Sequence, residues 1–270
     1  MPDLWSDLLA CLDLRSVPAE DDRDTAVFSG PNQSLGYYRI FGGQLLAQFV
    51  RAAQLACPDK SVKSLHALFP REGKPDEALR YRVQVQHQGR TFASATILAE
   101  QASGIVATAA ISLHAADDGP EQQVTAPIGP LLSAEHKAGF DIIPWETRTN
   151  VDLDDTGSAA PEFEFWMRTP AADAALAPAL TGYATDLTLI GTALRPIEGV
   201  CQRGNGTAFR SAVTSHTLWF HRPFRTDAWL LLRQDSPVMA QGRCFGRGDV
   251  FTENGSLVAS FAQEAMVRFP

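Results

Sequence analysis

Residues 42–56 read GGQLLAQFVRAAQLA. Leu45, Leu46, Phe49, Val50 and Ala53 recur with the period of an α-helix and share one stripe, and the alanines around that stripe leave little that is polar. A helix of this kind is buried. Downstream the period changes to two: SVKSLHALFP from Ser61, LRYRVQVQHQGRTFASATILAEQ from Leu79 and IVATAAISLH from Ile105 read as strands, with a turn at Ala102-Ser103-Gly104. The text predicts one helix followed by antiparallel strands.

The same order then returns. Ala184–Leu194 (ATDLTLIGTAL) aligns Leu187, Ile190 and Leu194 as a second helix. SAVTSHTLWFHRPF from Ser211 and AWLLLRQDSPVMAQGRCFGRGDVFTEN from Ala228 read as strands, and Asn254-Gly255 turns the chain into SLVASFAQEAMVRF. Gln-Gly-Arg occurs in both halves, at 88–90 and 241–243. A duplication accounts for this, with domains at 1–114 and 161–270 and a linker at 115–160 that opens with the Asp-, Gly- and Pro-rich AADDGPEQQVTAPIGP. The fold class is α+β. Each half alone exposes a sheet edge, and pairing the halves edge to edge into one continuous sheet would cover both. Leu8, Leu9 and Leu12 mark a further helix near the N-terminus.

Composition narrows the field of functions. The chain has 270 residues, 45% hydrophobic and 20% charged, which is ordinary globular composition. Asp plus Glu is 31 against 23 for Lys plus Arg, and no basic block offsets the net charge of -8, so nucleic acid is not expected as a partner. Cys11, Cys57, Cys201 and Cys244 lie far apart, which suggests reduced thiols rather than a zinc site or a disulfide framework. The opening residues carry acids where a signal peptide carries Lys or Arg, and no apolar run approaches the ~18 residues of a membrane span. A soluble, cytoplasmic protein is expected. No G-x-S-x-G, H-E-x-x-H or P-loop pattern occurs, and Gly204-Asn205-Gly206 and Gly246-Arg247-Gly248 read as turns.

Three places could carry chemistry. In the last strand, alternation sets Leu257, Ala259, Phe261, Gln263, Ala265 and Val267 on one face, so Gln263 points into an apolar side. A buried amide without partners costs about 1–3 kcal/mol, so this one needs a partner, structural or catalytic. Asp186 falls in the opening turn of the second helix, where the helix dipole favours a carboxylate by roughly 0.3–1 kcal/mol. The strand from Ser211 carries Thr214, Ser215, His216, Thr217 and His221, and neither of its faces is cleanly apolar. His216 and His221, five apart, point to opposite faces and are not expected to share a metal.

Five segments taken together, YRIFGGQ at 38–44, FEFWMR at 163–168, YATDL at 183–187, SHTLWFHRPF at 215–224 and the closing LVASFAQEAMVR at 257–268, resemble the bacterial type II acyl-CoA thioesterases. These are double hotdog proteins. The resemblance implies two fused hotdog domains, each a long helix wrapped by an antiparallel sheet. It also implies hydrolysis of acyl-CoA to fatty acid and CoA, no metal or redox cofactor, and a homo-oligomer. In the family an Asp at the start of the second helix, a Thr or Ser on the next strand and a Gln on the last strand hold the hydrolytic water. Asp186 and Gln263 match the first and third positions, while Val213 stands at the hydroxyl position. Ser215, on the same face as Val213 in a regular strand, is the expected replacement, and Thr214 takes that role only through a bulge.

By the same resemblance, the thioester carbonyl would lie at a helix N-terminus and the acyl chain between helix and sheet. Gly43, Gln44, His216 and Arg222 are the expected substrate contacts, with Arg225, Arg243 and Arg247 as further cations for the CoA phosphates. Matching Gly104 to Gly255 sets Ser112 against Gln263 and Gly42-Gly43-Gln44 against Asp186, so one working site is expected, in the second half. The Val at position 213 motivates a second reading, an acyl-CoA binding or sensing protein of the same fold without turnover. A hotdog hydratase ranks below both, because no Asp-x-Asn-Pro-Leu-His-like segment is present.

Overall fold

In the computed structural model, which describes residues 3–18 and 25–270, Asp3 caps the first helix by accepting hydrogen bonds from the Trp5 and Ser6 amides. That helix, α1 (Leu4–Leu12), buries Leu8, Cys11 and Leu12. After β1 (Arg15–Val17) and β2 (Thr25–Gly30) comes α2 (Gly42–Ala56), whose apolar stripe is buried as the period requires. Next are β3 (Ser61–Leu68), β4 (Leu79–Gln88), β5 (Phe92–Gln101) and β6 (Gly104–His114). Within this first unit the strands run antiparallel in the order β1-β2-β4-β5-β6-β3. Phe49 of α2 is fully buried and meets Tyr81 edge-on. Burying a side chain of that size stabilises the fold by about 1.5–3 kcal/mol, and Phe49→Ala would cost roughly 3–5 kcal/mol.

The second unit begins at Gln122 and carries β7 (Lys137–Ala138), β8 (Glu146–Arg148) and β9 (Glu162–Arg168). Then come α3 (Ala177–Thr185), of which Pro178–Ala184 belong with the first unit, and α4 (Leu189–Leu194). β10 (Arg210–Phe220), β11 (Leu230–Ala240), β12 (Arg243–Thr252) and β13 (Leu257–Arg268) complete it, in the sheet order β10-β13-β12-β11-β9-β8-β7. Of the stretch expected as a linker, 115–160, the part from Gln122 on groups with the second unit and carries β7, β8 and a one-turn 3-10 helix at Ala134–His136, the rest being irregular chain laid on the sheet. Ile128, Leu131 and Leu132 cover a row of Trp166, Trp229, Leu231 and Phe251 on the back of the sheet, and Gln123 bonds the Gly255 carbonyl and the Leu257 amide. Its Pro- and Gln-rich text hides apolar residues that have a surface to cover. Gly246-Arg247-Gly248, read as a turn, lies inside β12, where a Cβ on Gly246 would strike Leu189 of α4.

The duplication extends to the irregularities. Pairing slips by one residue in β3 between Val62 and Ser64, and in β10 between Val213 and Ser215. β4 and β11 both slip along their partners, between Val85 and His87 and between Asp235 and Val238. The closing hairpins do the same, at Ala99/Glu100 and at Val250/Phe251. Bulges bend a strand and re-aim its side chains, so their repetition records a shared backbone path more closely than element order does. Among the described residues, no helix is long and apolar enough to cross a membrane.

Candidate active site

The second helix is not continuous as its pattern suggested. α3 ends at Thr185, Asp186 is its C-cap in the right-handed helical region, and α4 starts only at Leu189. Asp186 therefore lies in a bend rather than in a helix's opening turn, and the dipole argument for it does not apply. Side chains that bond across to the sheet accompany the break. The Thr188 hydroxyl donates to Gln234 Oε1 at 3.1 Å, Gln234 Nε2 donates to Thr192 Oγ1 at 2.6 Å, and the Thr192 hydroxyl donates to the Thr188 carbonyl at 2.9 Å. Threonine hydroxyls that bond elsewhere weaken helical continuity. The result fixes the bend against β11 and leaves Asp186 5% exposed.

His216, fully buried on β10, is the meeting point. Its Nδ1 lies 2.9 Å from Gln263 Oε1 and 3.8 Å from Asp186 Oδ1, and its Nε2 lies 3.1 Å from Thr185 Oγ1. The ring stacks parallel to Phe261, centroids 6.2 Å apart. Burial pushes the imidazole down from its ordinary 6.5 to about 4, with the Gln263 hydrogen bond opposing, so the ring is neutral near pH 7. Gln263 is 2% exposed, and its Nε2 has no hydrogen-bond partner among the described residues. The structure thus brings together Asp186, Gln263 and His216 with Thr185, which the residue pattern did not single out. Thr185 was legible only as the residue preceding Asp186, since its partner lies on another element.

The bulge redirects the other strand candidates. Val213 faces Ala265, on the side of Gln263, whereas Ser215 faces Glu264 and so sits on the opposite side of the strand from His216 and Gln263. Ser215 does not join the cluster, contrary to the regular-strand expectation. Thr214, the extra residue, bonds the Glu264 carbonyl and carboxylate at 3.1 and 3.0 Å. Counted from the matched bulges, His216 corresponds to Leu65 and Gln263 to Ile111, and Ser112 corresponds to Glu264. The correspondence of Ser112 with Gln263 fails because Ala102-Ser103 close the first hairpin and the longer Glu253-Asn254-Gly255 close the second.

Of the expected substrate contacts, only His216 reaches the cluster within the second unit. Arg222 bonds the Leu257 carbonyl at 2.8 Å and lines a shallow cleft with Trp229, Glu253 and Asn254. That places it about 20 Å along β13 from Gln263 at ~3.3 Å per residue. Arg225, Arg243 and Arg247 form ion pairs with Asp227, Glu264 and Asp235. In the first unit, Gln44 accepts from the Gln33 amide and donates to Asn32 and Gln48, all within 2.9 to 3.0 Å, which commits both of its amide hydrogens. Gly43 is required by space, because a Cβ there would sit 2.5 Å from the Tyr183 carbonyl oxygen. No group of His, Cys, Asp and Glu among the described residues could hold a metal ion.

Two units of helix and antiparallel sheet, the second with a carboxylate and a carboxamide meeting at a buried imidazole, point to the hotdog class of proteins. Two models of one family cover the chain: the acyl-CoA thioesterase N-terminal domain matches residues 29–114 and the acyl-CoA thioesterase C-terminal domain residues 116–267. Acyl-CoA thioesterase 2 of Haemophilus influenzae is 29% identical over 100% of this chain and 99% of its own length. Among solved structures, acyl-CoA thioesterase II TesB2 of Mycobacterium marinum superposes with a TM-score of 0.78 at 27% identity, covering 97% of this chain and 98% of that one. A protein with a hot dog fold from Alicyclobacillus acidocaldarius, 18% identical with a TM-score of 0.73 over 97% of this chain and 98% of its own, shows the fold alone. The chain belongs to the acyl-CoA thioesterase family, in its type II branch, and is an acyl-CoA hydrolase.

Proposed function

We propose that this enzyme hydrolyses acyl-CoA through one water held by Asp186 and Gln263. One observation carries the reading: the carboxylate and the carboxamide both approach the same buried His216 nitrogen, while the Gln263 amide nitrogen keeps its donors uncommitted among the described residues. Gln263 donates to the water oxygen and orients it. Asp186 takes a proton as that oxygen bonds to the thioester carbon; the tetrahedral intermediate collapses, the C–S bond breaks, and the CoA sulfur leaves with the proton from Asp186. Positioned base chemistry of this kind contributes about 10²- to 10⁴-fold. The finer architecture in this reading is two hotdog domains in tandem, with the working site in the second. A cytoplasmic setting, where Cys11, Cys57, Cys201 and Cys244 stay as thiols, fits it.

The test is thiol release from acyl-CoAs of several chain lengths. Asp186→Asn and Gln263→Ala are each expected to lower kcat at least ~100-fold with the thermal midpoint preserved. Wild-type rates in both variants would remove the site assignment. Tight binding without turnover by the natural chain across the series would replace the hydrolase with the binding protein.

A further inference from the structure

Gln263 can aim its nitrogen at a water only if its oxygen is held elsewhere. Free carboxamides flip by rotation about one bond, and a flipped Gln263 would turn an acceptor toward the water and lose the orientation the reaction needs. His216 supplies the hold. The Asp186 carboxylate, 3.8 Å from Nδ1, repels a lone pair there and favours an N–H, so the ring proton sits on Nδ1 and Nε2 accepts from the Thr185 hydroxyl. Nδ1–H then donates to Gln263 Oε1 at 2.9 Å. A flip would press the amide N–H₂ group against that N–H. The parallel Phe261 ring fixes the plane of the imidazole, and both ring nitrogens are engaged, so neither is open to take the water's proton.

We propose that His216 is a positioning residue, which sets the orientation of the Gln263 amide through Nδ1–H and is itself set by Thr185 and Asp186. This rests on the water-holding role of Gln263. The chain Thr185 to His216 to Gln263 to water runs donor to acceptor throughout, an arrangement in which each bond polarises the next.

A kinetic cycle tests it with the full-length enzyme and an acyl-CoA substrate. His216→Leu is expected to lower kcat by roughly 10- to 100-fold while KM moves less than about twofold, since the reacting geometry is lost and substrate binding is not. His216→Asn, whose amide N–H can occupy the place of Nδ1–H, is expected to recover kcat to within about fivefold of the natural enzyme. In a Gln263→Ala background, His216→Leu should have no further effect, because there is no amide left to orient. Thr185→Val provides a route that spares the ring: it should lower kcat severalfold and weaken the Nδ1–H tautomer in imidazole nitrogen NMR. Wild-type kcat in His216→Leu, failure of His216→Asn to recover, or losses that multiply with Gln263→Ala would each overturn the proposal. A fast Gln263→Ala single variant would instead overturn the water-holding reading beneath it.

Discussion

Counted from the same bulge, the first unit places Leu65 across from Ile111, and the second places His216 across from Gln263. All four side chains are buried. One backbone path therefore accepts an apolar pair or a polar pair at the same spot, so the fold does not require the polar one. Nor does stability favour it: an apolar pair gains about 1.5–3 kcal/mol per side chain from burial, while a buried hydrogen bond nets only about 0.5–1.5 kcal/mol. A further contrast separates saturated amides from the one proposed to hold the water. Gln48 of α2 accepts from Tyr81 and Gln44 and donates to the Cys11 and Pro31 carbonyls, which uses its whole capacity. Gln263 leaves its nitrogen without a partner among the described residues, as the proposed water-holding role requires.

Copying the first unit into the second would break this contrast most severely. The double variant His216→Leu plus Gln263→Ile is expected to lower kcat at least ~100-fold, the same loss as removing the Gln263 amide alone, yet to change folding stability by no more than about 2 kcal/mol, because removing both polar partners together leaves few of them stranded. Thiol release and chemical denaturation on the same preparation check both halves. A collapse in stability would show that the polar pair holds the second unit together, and retained turnover would show that it does no chemistry.

The same double variant sharpens the comparison through pH. His216 titrates at about 4 in the folded chain against an ordinary 6.5, so as pH falls below 6.5 the unfolded chain binds the proton first. Stability present above pH 6.5 is therefore lost as pH falls toward 4, by up to about 3 kcal/mol from this one group. Denaturation midpoints at pH 7, 5.5 and 4 should fall more steeply in the natural chain than in the variant, where the imidazole is gone and a leucine side chain has no proton to bind. Parallel slopes would mean that His216 is not held neutral.

Much of the fold was legible because it rests on local periodicity. The buried stripe of α2, the inward set of Gln263 and the repeated element order all follow from spacing alone. What escaped was set by single inserted residues and distant partners. A bulge has no compositional marker, although Val62-Lys63-Ser64 and Val213-Thr214-Ser215 repeat Val-x-Ser at both slips, a signal that becomes readable only once the halves are aligned. The break at Asp186 depends on hydroxyl and amide groups of Thr188, Thr192 and Gln234 meeting across elements. His216 is ambiguous in the sequence because its strand alternates without a clean apolar face, and its partners Thr185 and Gln263 lie 31 and 47 residues away.

The smallest expected effect probes the bulge itself. If β10 alternated regularly, Ser215 would share the face of Val213 and stand in for the family's hydroxyl; because pairing slips between the two, Ser215 lies opposite the exposed Glu264 instead. Ser215→Ala is therefore expected to leave kcat within about twofold, because this half-buried side chain lies on the face of the strand away from His216 and Gln263. A tenfold loss would place the hydroxyl back beside the water and remove the slip. The matching change in the first unit, Ser64→Ala, breaks a 2.7 Å hydrogen bond to Ser112 and should cost about 1 kcal/mol without touching turnover. The two serines occupy one position in the repeat, so a difference in stability alone, with activity flat in both, is the outcome the shared bulge demands.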